Sequence, residues 1–528
     1  MKDISSASKR FFSGTLISRI TGMLRDISMA AVFGSSPFIA GFMVAFRLSN
    51  LLRRVLGEGA LQAAFIPHYQ KLQLDHENRG IRFFLSLKKI LGRVLVSIVV
   101  ITEIILLIIL NYKLASPDSL EIIKLTAIMF PGIIFICFYG INMSFLQCHN
   151  HYFIGSIAPA IFNITWIIAV ILLRKTNPYS AVTVLSYTVI LAFALQWLIT
   201  AIQSYKKTAY LPKFKLSTRN FLSENSVFLK ALSLGIIGVA AVQVNSACDA
   251  IFATIADVRG PAYLWYAIRI QQLPLALISI SITASLLPTI AHSVKSGNKD
   301  DFQDLFNKGL NKNLSLMIPI TFGLILIGPA LNGIIYGHGA FEQQTWITTT
   351  QCLWAYNIGL LPAALVGLFS VVLYSQGNYR LPAITSIVTV LLNLSLNYIL
   401  IFWFQWGAIS IALATAISSW CNATILGLAV KRRGLEPIFR KNLHSSMRTI
   451  ICCIIGLIST STIFFYITGN LTWLNLLLNK DPDPSYYNQI YHILELLSLG
   501  VIFTSILIGA AKILKHRPLS SIKNIINF

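Results

Sequence analysis

Ser18-Arg19-Ile20-Thr21-Gly22-Met23-Leu24-Arg25-Asp26, followed by Phe46-Arg47-Leu48-Ser49-Asn50-Leu51-Leu52-Arg53-Arg54-Val55-Leu56-Gly57-Glu58-Gly59, places arginines inside segments that otherwise read as membrane-spanning helices. On the lower of the available scales, a guanidinium at the centre of a helix in hydrocarbon costs about 3 kcal/mol. A chain that accepts several of them in its first two spans must turn them toward a water-filled, protein-lined space. A space lined by positive charge holds an anion. These stretches therefore point to a transporter of something negatively charged.

Composition gives the same class. Of the 528 residues, 55% are hydrophobic and only 12% are charged, against about 25% charged in soluble domains. Windows such as 94–110, 157–173, 318–335 and 449–465 approach the roughly 20-residue apolar length of a spanning helix. The expectation is an all-α polytopic membrane protein of about fourteen spans, each boundary good to a few residues. They begin near Phe12, Phe38, Lys89, Leu120, Phe153, Ala181, Phe228, Tyr263, Leu314, Ile347, Ala383, Trp406, Ser445 and Gln489. The first two are the weakest by hydropathy because arginines interrupt them. The same arginines break the apolar core of any cleavable signal, so the first helix is expected to stay in the mature chain.

Alternate connections collect cations, at 71–93, 206–230, 295–312, 431–448 and the tail with Lys512, Lys515, Arg517 and Lys523. The opposite connections, 34–37, 337–344 and 481–487, are poor in Lys and Arg, and Arg174-Lys175 is the one basic pair on the wrong side. The positive-inside rule then places both termini in the cytoplasm and requires an even number of spans. The net charge of +23 reads as topology signal facing anionic lipid, not as a nucleic-acid surface. Seven cysteines lie scattered without metal-ligand spacing and read as small core residues.

An internal echo divides the chain. Ala45-Phe46-Arg47-Leu48-Ser49-Asn50-Leu51 resembles Ala267-Ile268-Arg269-Ile270-Gln271-Gln272-Leu273, and each is followed by an apolar stretch with proline, Ala64-Phe65-Ile66-Pro67 and Ser285-Leu286-Leu287-Pro288. Two repeats of six spans fit a rocking-bundle transporter with a central cavity. The expected lobes are 1–220 (helices 1–6) and 221–434 (helices 7–12), with 435–528 holding helices 13 and 14 and a basic tail.

At 100° per residue, Arg47, Asn50, Arg54 and Glu58 share a stripe about 80° wide, and Arg53 points away from it. Either Arg53 faces the cavity while Arg54 and Glu58 brace each other at i, i+4, or the reverse; periodicity alone leaves both open. Arg19 and Arg25 differ by about 120° around one helix, Gly22 offers a bend between them, and Asp26 suits a brace for a neighbouring arginine. Arg269 is the lone cation of its span and the repeat counterpart of Arg47, with Asp249 a candidate partner. Asp249 could instead join Asn393 and Asn397, spaced i, i+4, and Thr415. One carboxylate with neutral oxygens suits Na⁺ or a proton relay, although asparagines in membrane helices also serve as interhelical hydrogen bonds. Glu103 is a further acid within a span.

The Ser18-Arg19-x-x-Gly22-x-x-Arg25-Asp26 block, the 50–59 run and Ala64-Phe65-Ile66-Pro67 resemble the MurJ (MviN) family, bacterial lipid II flippases of the multidrug/oligosaccharidyl-lipid/polysaccharide exporter superfamily. Tyr266-Ala267-x-Arg269, Leu286-Leu287-Pro288 and the span count extend the resemblance over essentially the whole chain. It implies two six-helix lobes, a lipid-facing groove on the last two helices, and a cargo of undecaprenyl-pyrophosphate-linked disaccharide pentapeptide. It implies Arg19, Arg25, Arg53 and Arg269 as cargo-binding arginines, with Asp26 and Glu58 as acidic companions, and so favours Arg53 over Arg54. Arginine suits a pyrophosphate because its fork gives bidentate, charge-assisted contacts. The chain departs from the family pattern at Ala40, Ile268 and Asn397, where relatives carry carboxylates. These losses weaken the expectation of Na⁺ coupling in particular and leave the anion-binding role untouched; Na⁺ or proton coupling, or membrane potential, is the expected drive.

The expected function is flipping of lipid II to the outer leaflet of the bacterial inner membrane by alternating access, with membrane lipids and cell-wall synthesis proteins as surroundings. The alternatives are an exporter of another lipid-linked oligosaccharide or of drugs, and a polytopic transferase. A transferase would need clustered carboxylates or histidines, and the nearest candidate, Asp481-Pro482-Asp483-Pro484, reads better as a turn.

Overall fold

The computed structural model describes residues 2–53, 60–75, 77–209, 221, 224–469, 471–477, 489–514 and 517–519. Arg54, Glu58 and the Asp481–Pro484 stretch lie outside the described residues. No strand occurs among the described residues; the chain is a succession of helices. In order these are α1 (Lys2–Phe33), α2 (Pro37–Ser49), α3 (Ala60–Asp75), α4 (Glu77–Asn111), α5 (Pro117–Met129), α6 (Ile133–Cys148), α7 (Tyr152–Leu172), α8 (Pro178–Thr208) and α9 (Ser226–Ala256). There follow α10 (Gly260–Pro274), α11 (Ile280–Lys295), α12 (Lys299–Tyr336), α13 (Gln343–Ile358), α14 (Leu360–Ser375), α15 (Arg380–Phe402) and α16 (Ile409–Val430). The last are α17 (Glu436–Thr468), α18 (Thr472–Leu477) and α19 (Gln489–Ile513).

Eleven stretches among the described residues are helical, long and apolar enough to cross a membrane. The three remaining expected spans fall on α1, α2 and α9: α1 carries the arginines, and α2 is apolar but only 13 residues long. The protein is thus an all-helical, multi-pass membrane protein.

The cationic connections differ from their sequence reading. Most of 71–93 is helix, and 299–312 and 436–448 form the first turns of α12 and α17. Basic residues there ride on helices that run on past their apolar windows. A helix leaving hydrocarbon keeps its backbone hydrogen bonds, so nothing forces it to unwind at the boundary.

Several spans are broken. Pro131 sits in a 3₁₀ turn, Phe130–Gly132, between α5 and α6. A π-turn, Leu275–Ser279, follows Pro274 between α10 and α11. Proline supplies no N–H, which makes both prolines natural breakpoints. Gly359 separates α13 from α14; a β-carbon there would lie 3.0 Å from the Ala416 Cα, so this join presses directly on the α16 backbone.

By contacts the chain forms two compact units, Met1–Ile251 and Phe252–Phe528. In the first unit α2 packs on α5, α3 on α6 and α4, and α8 on α5, α6 and α7. In the second, α10 packs on α13, α11 on α14 and α12, and α16 on α13, α14 and α15. The same order of packing recurs, broken helix on broken helix, while the first unit runs to Ile251 and takes in most of α9.

The second unit also holds α17 and α19, which pack on each other and on α12. Ile318 and Leu326 of α12, Cys452 and Cys453 of α17, and Phe503, Leu507, Ala510 and Ala511 of α19 make one buried cluster. Glycines seat the rings: β-carbons at Gly456 and Gly333 would lie 3.0 Å from Phe503 and 2.6 Å from His492. At the join of α15 and α16 the rings instead face outward, with Trp403 74% and Trp406 47% exposed, beside Tyr398, Phe402 and Phe404. Such a belt suits a membrane–water boundary.

Candidate functional site: the buried arginine and the more open ones

The first unit centres on Arg25. It is 8% exposed and its neighbour Asp26 is 3% exposed. Nε and one terminal nitrogen of Arg25 donate to Asp26 Oδ1 at 3.1 and 2.8 Å, and the other terminal nitrogen donates to Asn163 Oδ1 at 3.1 Å. Asn163 turns its amide back to α1, donating to the Ser18 carbonyl at 3.1 Å and to Thr21 Oγ1 at 3.2 Å. Its nitrogen has room because position 22 is glycine, whose β-carbon would meet it at 3.4 Å. Trp166, one turn along α7, lies under the guanidinium at 4.9 Å and donates its indole N–H to Met29 Sδ at 3.2 Å. The charge is therefore carried by a carboxylate, an amide and an aromatic face, as a buried cation requires. In this conformation the group clasps α1 to α7.

The other sequence-predicted arginines sit differently. Arg19 is exposed, next to the exposed Leu16, Ile20 and Leu24, so it and Arg25 face apart as their spacing predicts. Arg53 is half-buried just past the end of α2, and its N–H donates to the Asn50 carbonyl at 3.1 Å. The Asn50 amide closes that end by donating to the Phe46 carbonyl at 2.8 Å. In the second unit Arg269 is half-buried on α10, its guanidinium 4.6 Å from the centre of the Trp265 ring. The neighbouring Gln271 donates to the Tyr356 carbonyl at 3.4 Å, tying α10 to α13. Arg25 and Arg269 thus each lie over a tryptophan.

The candidate cation ligands divide between the units. Asp249 is in the first, where Oδ2 accepts from Asn245 at 3.1 Å. Asn393, Asn397 and Thr415 are in the second. There Asn397 donates to Asn393 Oδ1 at 3.1 Å, and Thr415 donates to the Ile411 carbonyl at 2.9 Å. A carboxylate with amide and hydroxyl oxygens is the donor set a hard cation takes. Glu103 is half-buried on α4, between the exposed Ile101 and Ile104.

Sequence reasoning missed Asn163 and Trp166, which complete the Arg25 clasp from 138 and 141 residues away, and no spacing rule links them to it. It also missed His492 and Glu495, a buried pair on α19 with 1% and 3% exposure. There a signal existed: the two stand i, i+3 on the same face as Leu499 and Phe503.

Two helical units built from broken helices define the fold, and solved structures share it. The chain superposes on an inward-facing multidrug MATE transporter of the MOP superfamily with a TM-score of 0.63, at 14% identity over 82% of this chain and 99% of that one. It superposes on "Lipid II flippase MurJ, inward closed conformation" with a TM-score of 0.75, at 24% identity over 96% and 99%. The family model "Lipid II flippase MurJ" matches residues 29–478. The chain is 31% identical over 518 residues to the "Probable lipid II flippase MurJ" of Chlamydia pneumoniae, covering 96% of this chain and 92% of the relative. It is 29% identical over 425 residues to that of Aquifex aeolicus, covering 79% and 82%. This chain belongs to the lipid II flippase MurJ family.

Proposed function

We propose that this protein is a lipid II flippase, carrying the undecaprenyl-pyrophosphate-linked peptidoglycan precursor from the cytoplasmic to the outer leaflet by alternating access. The match of the family model over 29–478 carries the reading. The chemistry supports it: a pyrophosphate leaving the headgroup layer needs charge-assisted donors, and arginine forks match phosphate oxygens. Arg19, Arg53 and Arg269, none of them fully buried, are the proposed cargo contacts. Arg25 would join them on giving up Asp26. Glu58 would accompany Arg53.

Both termini are proposed to lie in the cytoplasm, from the distribution of Lys and Arg. Resetting of the empty, positive carrier is assigned to membrane potential, worth about 2.3 kcal/mol per charge per 100 mV, or to a cation. If a cation is used, Asp249, Asn393, Asn397 and Thr415 would supply its oxygen ligands. The basic cytoplasmic segments are available to cell-wall synthesis proteins.

The test is complementation of a flippase-depleted bacterium, with outer-leaflet lipid II quantified. The wild-type chain should restore growth and outer-leaflet lipid II, and Arg53→Ala and Arg269→Ala, expressed to the same level, should not. Growth on either variant would overturn the arginine assignment. No rescue by a well-inserted wild type would overturn the cargo.

A further inference from the structure

The inward stripe of α4 ends in a carboxyl. Leu91, Leu95 and Val99, spaced four apart, are buried; Glu103 comes next and is half-buried; Leu107 follows and stands 57% exposed. Glu103 therefore sits where the stripe emerges from the protein. Asn111 closes the helix about 12 Å further on, and Arg93, the last cation before Glu103, is about 15 Å behind it. In a hydrocarbon core about 30 Å thick, that depth is close to the middle of the bilayer. The turns on either side, 99–102 and 104–107, are apolar but for Thr102. The exposed neighbours Val100, Ile101, Ile104 and Leu107 are all apolar, so this face meets lipid and not an aqueous lumen. One carboxyl oxygen, Oε1, is enclosed and accepts no hydrogen bond among the described residues.

The elements packed against α4 are α3, α5, α6 and the Phe130–Gly132 turn. On α3, His68, Tyr69, Lys71 and Asp75 lie toward the start of α4; Tyr69 meets Gly80, about 35 Å along the helix from Glu103. The titratable groups of α6 are Cys137, Tyr139 and Cys148, none of them a cation, and the turn has none. On α5, Asp118 is exposed in the first turn. Lys124 is the cation nearest in depth, and it is engaged elsewhere: Nζ donates to Tyr179 Oη at 3.1 Å and lies 3.7 Å from Glu121 Oε2. On α4 itself the cations end at the exposed Arg93, and Lys113 stands just past the other end. No charged group among the described residues acts on Glu103.

We propose that Glu103 is a proton-binding site within the bilayer. It is held as the uncharged acid while this turn of α4 lies in hydrocarbon, and it exchanges its proton only when the turn reaches water. An ionised carboxyl in hydrocarbon, with neither a cation nor a donor beside it, is among the costliest groups a helix can carry. Taking up a proton removes that charge outright. The site needs no cargo, so it stands or falls apart from lipid II transport.

Carbodiimide labelling of the full-length protein in lipid nanodiscs tests this. A carbodiimide adds the O–H of a carboxylic acid across one C=N bond, the proton going to nitrogen and the oxygen to carbon. The acyl group then migrates to nitrogen as a stable N-acylurea. Dicyclohexylcarbodiimide works from the hydrocarbon, whereas a water-soluble carbodiimide reaches only carboxyls open to water, such as the exposed Asp304 and Glu342. A glutamate in water, with a pKa of about 4.3, is almost wholly ionised at about pH 7. At about that pH, Glu103 should carry at least about tenfold more adduct from the hydrophobic reagent than from the soluble one, read by peptide mass. Glu103→Gln should lose this adduct and keep those at Asp304 and Glu342. No adduct from the hydrophobic reagent, or equal labelling by the two, overturns the proposal on the wild type alone. So does labelling that climbs several-fold in Lys124→Met, which would make Glu103 the ionised partner of that lysine.

Discussion

Arg25 commits three nitrogens and two aromatic contacts, to Trp166 and Phe162, to a single small region, so the balance between its charge and that of Asp26 governs the cost of changing either. Removing one partner strands the other inside protein, a loss of about 3–5 kcal/mol, whereas replacing both by apolar residues is close to neutral in many proteins. Arg25→Met should therefore unfold more easily than Arg25→Met/Asp26→Leu, although the double variant has lost more native groups. Reversible unfolding in mild detergent, read as a double-mutant cycle, checks the order. Asn163→Ala should cost about 1–3 kcal/mol by the same assay, because it takes one acceptor from the buried Arg25 guanidinium and removes the bridge from α7 to Ser18 and Thr21. At this scale the sequence was half legible. Asp26 beside Arg25 announces a brace, but Asn163 is one polar residue in an apolar helix, and only the fold brings it to α1. The His492–Glu495 spacing was open to reading in the same way as Arg54–Glu58, and hydropathy drew attention from it because the surrounding span is strongly apolar.

Helices were legible wherever an apolar window approached span length, but the breaks at Pro131 and Pro274 were not read, and Pro67, Pro159 and Pro319 lie inside helices that continue through them. Nor was the Gly359 break, since glycine is common in membrane helices and its reason lies in another element. The β-carbon it lacks would stand 3.0 Å from the Ala416 Cα. Backbone cannot yield as a flexible side chain can, so Gly359→Val should push α13 and α14 off α16 and cost about 1–3 kcal/mol. Gly456→Ala, which meets the edge of the Phe503 ring at 3.0 Å, should be milder because a ring can tilt. Melting of the two purified variants side by side should preserve that ranking. The connections misread as loops were misread for one reason: a run of lysines marks where a helix leaves the membrane, not where it ends.

For the whole molecule, the repeat of packing order means that each unit builds its core from the same sequence of contacts, and the proposed orientation follows from where Lys and Arg fall. A fluorescent protein fused after Phe528 should mature and glow, while alkaline phosphatase inserted at His338 should be active; the reverse pattern would invert the topology. The overall class was legible because composition alone excludes a soluble protein, and the arginine block is hard to explain in any other membrane protein. What the sequence left open was which arginines are enclosed, since enclosure depends on neighbours that periodicity does not name. The outward rings between α15 and α16 carry one more consequence. The nine tryptophans fall into distinct optical populations: Trp166 and Trp346 are 3% and 1% exposed, while Trp403 and Trp406 stand open. In bilayers of brominated lipid, emission from the open pair should dim according to how deep the bromine sits, while the enclosed indoles keep shining, so the protein carries its own depth gauge for where it floats in the membrane.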